Sequence, residues 1–130
     1  MKALTTAVIA AAVLFSSFTA AEAKSAKTLS STMVGNWCFA DQNRVADTIT
    51  TFYARGKCAA DPKGVNVFAT GYSGEHYKCI FQSIEALIGK SEAYAVRAKC
   101  LNTAEGDTYF DNSMFQLIGG QLIITPEAKP

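Results

Sequence analysis

Residues 75–84 have the sequence Glu-His-Tyr-Lys-Cys-Ile-Phe-Gln-Ser-Ile, which places Cys79 between Tyr77 and Phe81 on one alternating face. Residues 93–101, Ala-Tyr-Ala-Val-Arg-Ala-Lys-Cys-Leu, repeat the pattern with Cys100. Alternate residues of a β-strand point to opposite faces of the sheet, so each stretch predicts a strand with its cysteine on the apolar face. A short turn at 88–91 would bring the two cysteines together. The two stretches therefore predict an antiparallel sheet with a disulfide across it.

The rest of the chain continues in the same way, with short aromatic and β-branched stretches bounded by Gly, Pro, Asn or Asp. The predicted strands are 34–39, 48–55, 64–70, 75–84, 93–101, 108–117 and 121–125. Gly119-Gly120 predicts a two-residue hairpin turn, because paired glycines accept positive φ angles. Asp61-Pro62-Lys63-Gly64 predicts a second turn. The predicted fold class is all-β: a small antiparallel up-and-down barrel of about seven to eight strands with two disulfides.

The N-terminus predicts an export signal over residues 1–23, which combine Lys2, an apolar run and the small residues Ala21 and Ala23. The apolar run is shorter than the ~20 residues of a membrane-spanning helix, so we expect no stable membrane span after cleavage. Residues 24–32 are predicted to form a flexible polar arm, and residues 33–130 a single β-barrel domain. The predicted location is periplasmic or secreted.

Export determines the chemistry of the cysteines, because thiols outside the cytoplasm are oxidised to disulfides. The four cysteines are spaced by 20, 21 and 21 residues, which favours pairing between neighbouring strands. Of the three possible pairings, we expect Cys38 with Cys58 and Cys79 with Cys100. The sequence has no CxxC or CxxH spacing of a zinc site, so we expect no metal and no cofactor.

The candidate catalytic residues do not form a consistent set. Residues 71–75, Gly-Tyr-Ser-Gly-Glu, begin like the GxSxG nucleophile elbow, but the fifth residue is Glu. His76, the one histidine, would face away from Glu75 in a strand, which argues against an acid–base pair. The acidic cluster lacks the spacing of an EF-hand loop: Glu105, Asp107 and Asp111. We expect no catalytic residue and no enzymatic activity.

Charge and aromatic content narrow the choice of partner. The formal net charge is +1 and the basic residues are scattered, whereas phosphate binding needs a clustered excess, so we expect no nucleic-acid partner. Aromatic side chains either line a ligand cavity or pack the core, and the sequence leaves both open. The candidate contacts with a ligand or partner are Trp37, Tyr53, Tyr72, Tyr77 and Tyr94.

Gly35-Asn36-Trp37, at the start of the first predicted strand, resembles the GxW signature of lipocalin-like barrels, in which the tryptophan closes one end. With export and domain size, the chain is also similar to the periplasmic metalloprotease inhibitors, small barrels that place an N-terminal arm in the protease active site. Residues 24–32 would be that arm. That family has one disulfide, and the four cysteines here more closely resemble small exported four-cysteine proteins of proteobacteria.

These observations predict a non-catalytic binding module for a small apolar ligand or a protein partner. The first alternative is an inhibitor of an exported protease or other hydrolase. An enzyme is the last alternative, because the sequence offers no convergent polar set.

Overall fold

The structure is a computed structural model that describes residues 25–26, 28–58, 61–89 and 92–127. The predicted signal peptide, 1–23, lies outside the described residues, as do Lys24 and Lys27 of the predicted arm. A 3-10 helix spans Ser31–Met33. The strands are β1 (Ser25–Ala26), β2 (Gly35–Val45), β3 (Thr48–Arg55), β4 (Val65–Phe68), β5 (Gly71–Ser73), β6 (Tyr77–Ala86), β7 (Glu92–Asn102), β8 (Thr108–Ile118) and β9 (Gln121–Pro126).

Eight of these strands close into an antiparallel barrel, in the order β6-β5-β4-β2-β3-β9-β8-β7, and the β6–β7 pairing completes the circle. β1 adds to β6 at its C-terminal half. The predicted all-β barrel with two disulfides is confirmed. Residues 71–73 form β5, whereas the sequence suggested a turn at Tyr72-Ser73-Gly74 between two strands. Within the described ranges, no helix has the length and apolarity that a membrane crossing requires.

One connection departs from a simple up-and-down order. β2 lies between β3 and β4, so the connection between these two strands, described at residues 56–58 and 61–64, joins opposite sides of β2. Trp37 points inward, and its neighbour Cys38 therefore points outward, where it bonds to Cys58 of the connection. The backbone N–H of Phe39 donates to Asp61 Oδ2 at 3.1 Å. The Cys38–Cys58 disulfide thus fixes a crossing over the outside of the barrel.

The second disulfide lies inside the barrel. Cys79 and Cys100 are directly opposite one another in the β6–β7 ladder, and both are buried. Both predicted pairings, Cys38–Cys58 and Cys79–Cys100, are confirmed. Around the inner disulfide the interior is filled by one contiguous cluster of the protein's own side chains, of which the largest fully buried ones are Trp37, Phe115, Met33 and Leu122.

The segment predicted as a flexible arm packs on the barrel over residues 28–32. Leu29 is only 5% exposed and its backbone N–H donates to the carbonyl of Ala69 at 2.8 Å. Thr32 Oγ1 donates to Glu92 Oε2 at 2.7 Å. The prediction of a loose arm is corrected for these residues, because Leu29 supplies an apolar anchor within an otherwise polar stretch.

The β2–β3 hairpin continues beyond the barrel wall. Residues 41–45 and 48–50 pair only with one another, while β4 pairs with β2 at 35–37 and β9 with β3 at 51–54. Residues 40–47 are exposed. We call residues 41–50 the projecting ribbon. Its tip includes Ala46 at φ 55°, a left-handed conformation that is uncommon for a residue with a side chain.

Candidate functional site: the outer face of the barrel

Trp37, the first of the aromatic residues proposed as contacts, lies in the core of the barrel. Trp37 is 1% exposed, and its indole N–H donates to the carbonyl of Met33 at 2.9 Å. The guanidinium of Arg55 covers its ring, 4.2 Å from the centroid. Trp37 therefore supports the core and offers no open surface to a partner.

Three of the four candidate tyrosines approach one end of the barrel. The rings of Tyr72 and Tyr77 are 6.0 Å apart, and Tyr77 and Tyr53 border the same shallow depression of about 290 Å³. Tyr94 lies apart from them and donates its hydroxyl to Glu92 Oε2 at 2.9 Å. The structure thus brings Tyr53, Tyr72 and Tyr77 together and leaves Tyr94 beside the N-terminal segment.

Asp111 accepts two hydrogen bonds at that end of the barrel. Its Oδ2 accepts the hydroxyl of Tyr72 at 2.5 Å and that of Ser113 at 3.0 Å. Burial raises the pKa of Tyr72, and the hydrogen bond to Asp111 raises it further. The phenol therefore remains a hydrogen-bond donor. Asp111 is therefore turned inward, while Glu105 and Asp107 stay exposed, and within the described residues no three potential ligands group as a metal site.

Burial of Tyr72 and Tyr77 predicts that the protein loses stability at alkaline pH. Burial raises the pKa of Tyr72 and of Tyr77 above the unfolded value of about 10, so the fold favours the neutral phenols. The contribution of the neutral phenols to the free energy of unfolding is complete below a pH of about 10 and is lost as the pH rises above it. We expect phenolate absorbance to show fewer than the 5 tyrosines titrating before circular dichroism reports unfolding. Tyr77→Phe should shift alkaline unfolding to higher pH, and titration of every tyrosine near pH 10 in the folded protein would contradict this.

The residues that suggested hydrolase chemistry lie at the surface. Ser73 is half-buried on β5, and His76 Nε2 is 3.1 Å from Glu75 Oε1 in an exposed bend. The expectation that Glu75 and His76 face opposite ways was wrong, because a bend rather than a strand holds them. A solvent-exposed pair of this kind contributes little to stability.

The outside of the barrel carries an apolar surface, which we call the outer apolar face: Phe68, Ile80, Leu101 and Phe110. Strand register aligns it, because Phe68 pairs with Gly71, Gly71 with Ile80, Ile80 with Lys99, and Lys99 with Phe110. Phe68, Ile80 and Phe110 are 52%, 64% and 56% exposed. The solvated face of an antiparallel sheet is normally polar, so this line of apolar residues is unusual.

Two shallow depressions lie on the outer apolar face, one on either side of Ile80. One, of about 400 Å³, is bordered by Leu101 and Lys99, and the other, of about 350 Å³, by Phe68. Both include Ile80 and Lys78, so they are contiguous. The outer apolar face is therefore a shallow groove that crosses the strands from β4 to β7 and extends to β8.

Sequence alternation contained part of this signal. In the strand predicted over residues 75–84, the face opposite Cys79 carries His76, Lys78 and Gln82, and Ile80 interrupts that polar series. Leu101 interrupts the corresponding series of β7. Phe68 and Phe110 carry no such signal in the sequence, and the strand register together with their exposure shows that they face outward.

No family model, curated protein or solved structure matches this chain. The resemblance to lipocalin-like barrels and to periplasmic inhibitors therefore stays a prediction. Fold and surface define the class by themselves: a disulfide-bonded β-barrel with a filled interior and an exposed apolar groove.

Proposed function

We propose that the protein is an exported, non-catalytic binding module that holds a protein partner on its outer apolar face. The observation that carries this proposal is the alignment of Phe68, Ile80 and Phe110, all more than half exposed, on the outside of a barrel. Contiguous exposed apolar surface is characteristic of interaction sites, and water solvates it poorly.

The filled interior favours a protein over a small apolar ligand. The rings of Tyr72, Phe81 and Phe115 contact one another across the barrel, with centroids 5.3–6.2 Å apart. A ligand inside would have to displace this packing, whereas a partner on the outer apolar face displaces only water.

Export is supported by the covalent structure. Two disulfides are typical of proteins outside the cytoplasm. Together with the predicted signal peptide over residues 1–23, they support a periplasmic or secreted location.

Inhibition of an exported hydrolase is the second candidate, and the projecting ribbon favours it. An N-terminal arm that enters an active site must be free, whereas Leu29 and Thr32 bind the described part of this arm to the barrel. The projecting ribbon extends beyond the wall with both edges unpaired, so it is the element able to enter a cleft.

The proposal predicts that Ile80→Thr/Phe110→Thr lowers affinity for a retained partner at least about tenfold, because exposed apolar anchors carry much of an interface's energy. The oxidised protein is immobilised, proteins of the exported fraction are retained on it and identified, and the dissociation constant of each purified partner is measured. Surface changes of this kind should alter the free energy of unfolding by only about 0.5 kcal/mol.

Ile88→Thr is the matched control, because Ile88 is 91% exposed but lies outside the outer apolar face. A partner that binds wild type, Ile88→Thr and the double variant equally well would exclude this face. A retained hydrolase that loses activity on binding, and regains it when the projecting ribbon is shortened, would select the inhibitor instead.

A further inference from the structure

We infer that the partner of the outer apolar face is an acidic segment of another protein, whose carboxylates pair with Lys78, Lys99 and Arg97. The inference rests on the proposed function and adds the charge and dimensions of the partner. It follows from the cations that lie between the apolar residues of the face.

The β6–β7 ladder places these charges. Lys78 is opposite Leu101, and Lys99 is opposite Ile80, so lysines and apolar residues alternate diagonally across the two strands. Two residues from Lys99 along β7, the guanidinium of Arg97 lies over the ring of Phe110, 4.5 Å from its centroid. The groove thus combines apolar contact with positive charge.

No carboxylate of the described chain forms an ion pair with these cations, although Arg97 borders a separate depression together with Glu85 and Glu127. The ion pair found among the described residues is that of His76 with Glu75, and the hydrogen bond of Arg97 goes to the neutral amide of Asn112, at 3.3 Å. The residues that border the two depressions include no Asp or Glu. At Lys78 and Lys99 a bound carboxylate would therefore meet uncompensated positive charge in partly apolar surroundings, where ion pairing is stronger than in open water.

Charge also argues against the other occupants. A second copy joined through the same face would bring Lys78 and Lys99 against like charges, which costs free energy at an interface. Membrane surfaces and nucleic acids are recognised by larger basic clusters, about 4–8 Lys or Arg for an anionic membrane. Three cations on a chain of net charge +1 fall below that range.

The length of the groove sets the size of the segment. Four inter-strand steps separate Phe68 on β4 from Phe110 on β8, which at about 4.8 Å each give about 19 Å along the sheet. That distance corresponds to about 13 residues of α-helix or about six residues of extended chain. A segment of this length with apolar and acidic side chains on one face fits the groove.

The probe is a labelled amphipathic peptide of about 13 residues built from Leu and Glu, compared with the same peptide carrying Lys for Glu. Fluorescence anisotropy at low salt should show binding of the Glu peptide to the oxidised protein and at least about tenfold weaker binding of the Lys peptide. Lys78→Glu/Lys99→Glu should reverse that preference. Rising salt should weaken binding of the Glu peptide to wild type.

Arg44→Glu/Lys57→Glu is the matched control, because both side chains are exposed and lie outside the groove. Each double variant replaces two cations by two anions, so each takes the net charge from +1 to −3. The control should keep the preference of wild type. An equal loss in both variants would overturn the inference, because net charge alone would then explain binding.

Other results separate this inference from the proposed function. Equal affinity of wild type for both peptides, abolished by Ile80→Thr/Phe110→Thr, would retain the apolar site and overturn the acidic partner. Absence of Glu-peptide binding overturns the inference, as does binding to phosphatidylglycerol vesicles in its place. If wild type binds neither peptide, and Ile80→Thr/Phe110→Thr leaves its affinity for the purified partner unchanged, both proposals are overturned.

Discussion

Replacing Trp37 by alanine is expected to lower the free energy of unfolding by about 3–5 kcal/mol. The side chain is buried, so its removal leaves a cavity that the closed barrel cannot readily collapse. The change also removes the indole donor to Met33 and the ring beneath the guanidinium of Arg55. Urea unfolding followed by far-ultraviolet circular dichroism measures the effect, because Trp37 is the single tryptophan and its fluorescence disappears with it.

Trp37→Phe separates packing from the hydrogen bond. It keeps an aromatic ring but leaves the carbonyl of Met33 without the indole donor, so we expect a smaller loss, of about 1–3 kcal/mol. If Trp37→Ala unfolds at the same urea concentration as wild type, Trp37 does not hold the core as described. A large loss of partner affinity with unchanged stability would instead make it a contact residue.

The sequence predicted those parts of the fold in which burial follows the two-residue period of a strand. β7 and β8 each bury one alternating face, and the pairing of Cys79 with Cys100 follows from that alternation. The projecting ribbon was missed on its β2 side, where the predicted strand ended at residue 39 and β2 continues to Val45. Residues 41–45 bury nothing, so they carry no apolar alternation to detect.

Strand order was less accessible, because residue patterns specify a strand's faces but not its neighbours. No residue pattern predicted that the connection between β3 and β4 crosses β2, although Cys58 gave a clue, because its bond to Cys38 joins the connection to β2. The same distinction applies to the site. Alternation places Ile80 and Leu101 on the outer face, but their alignment with Phe68 and Phe110 depends on pairing between strands far apart in sequence.

The two disulfides are expected to differ in their effect on stability although they close loops of nearly equal length, 20 and 21 residues. In the chain-entropy model each restricts the unfolded chain by about 3 kcal/mol. Cys79–Cys100 also fills the barrel interior, so Cys79→Ala/Cys100→Ala should cost a further ~1 kcal/mol or more through the cavity it leaves. Cys38–Cys58 lies on the outside, so Cys38→Ala/Cys58→Ala should lack that additional cost.

Urea unfolding of the two double variants tests this difference directly, since alanine at both positions leaves no unpaired thiol from the removed bridge. The outer variant has a second expected effect: the connection between β3 and β4, at residues 56–58 and 61–64, should exchange amide hydrogens faster, because the bond that holds it to β2 is gone. The inner variant should leave that connection protected by the Asp61–Phe39 hydrogen bond and the intact outer bridge. Equal unfolding midpoints for both variants and wild type would show that neither bridge stabilises the fold. Greater destabilisation by the outer pair would mean that holding the crossing in place matters more than filling the interior.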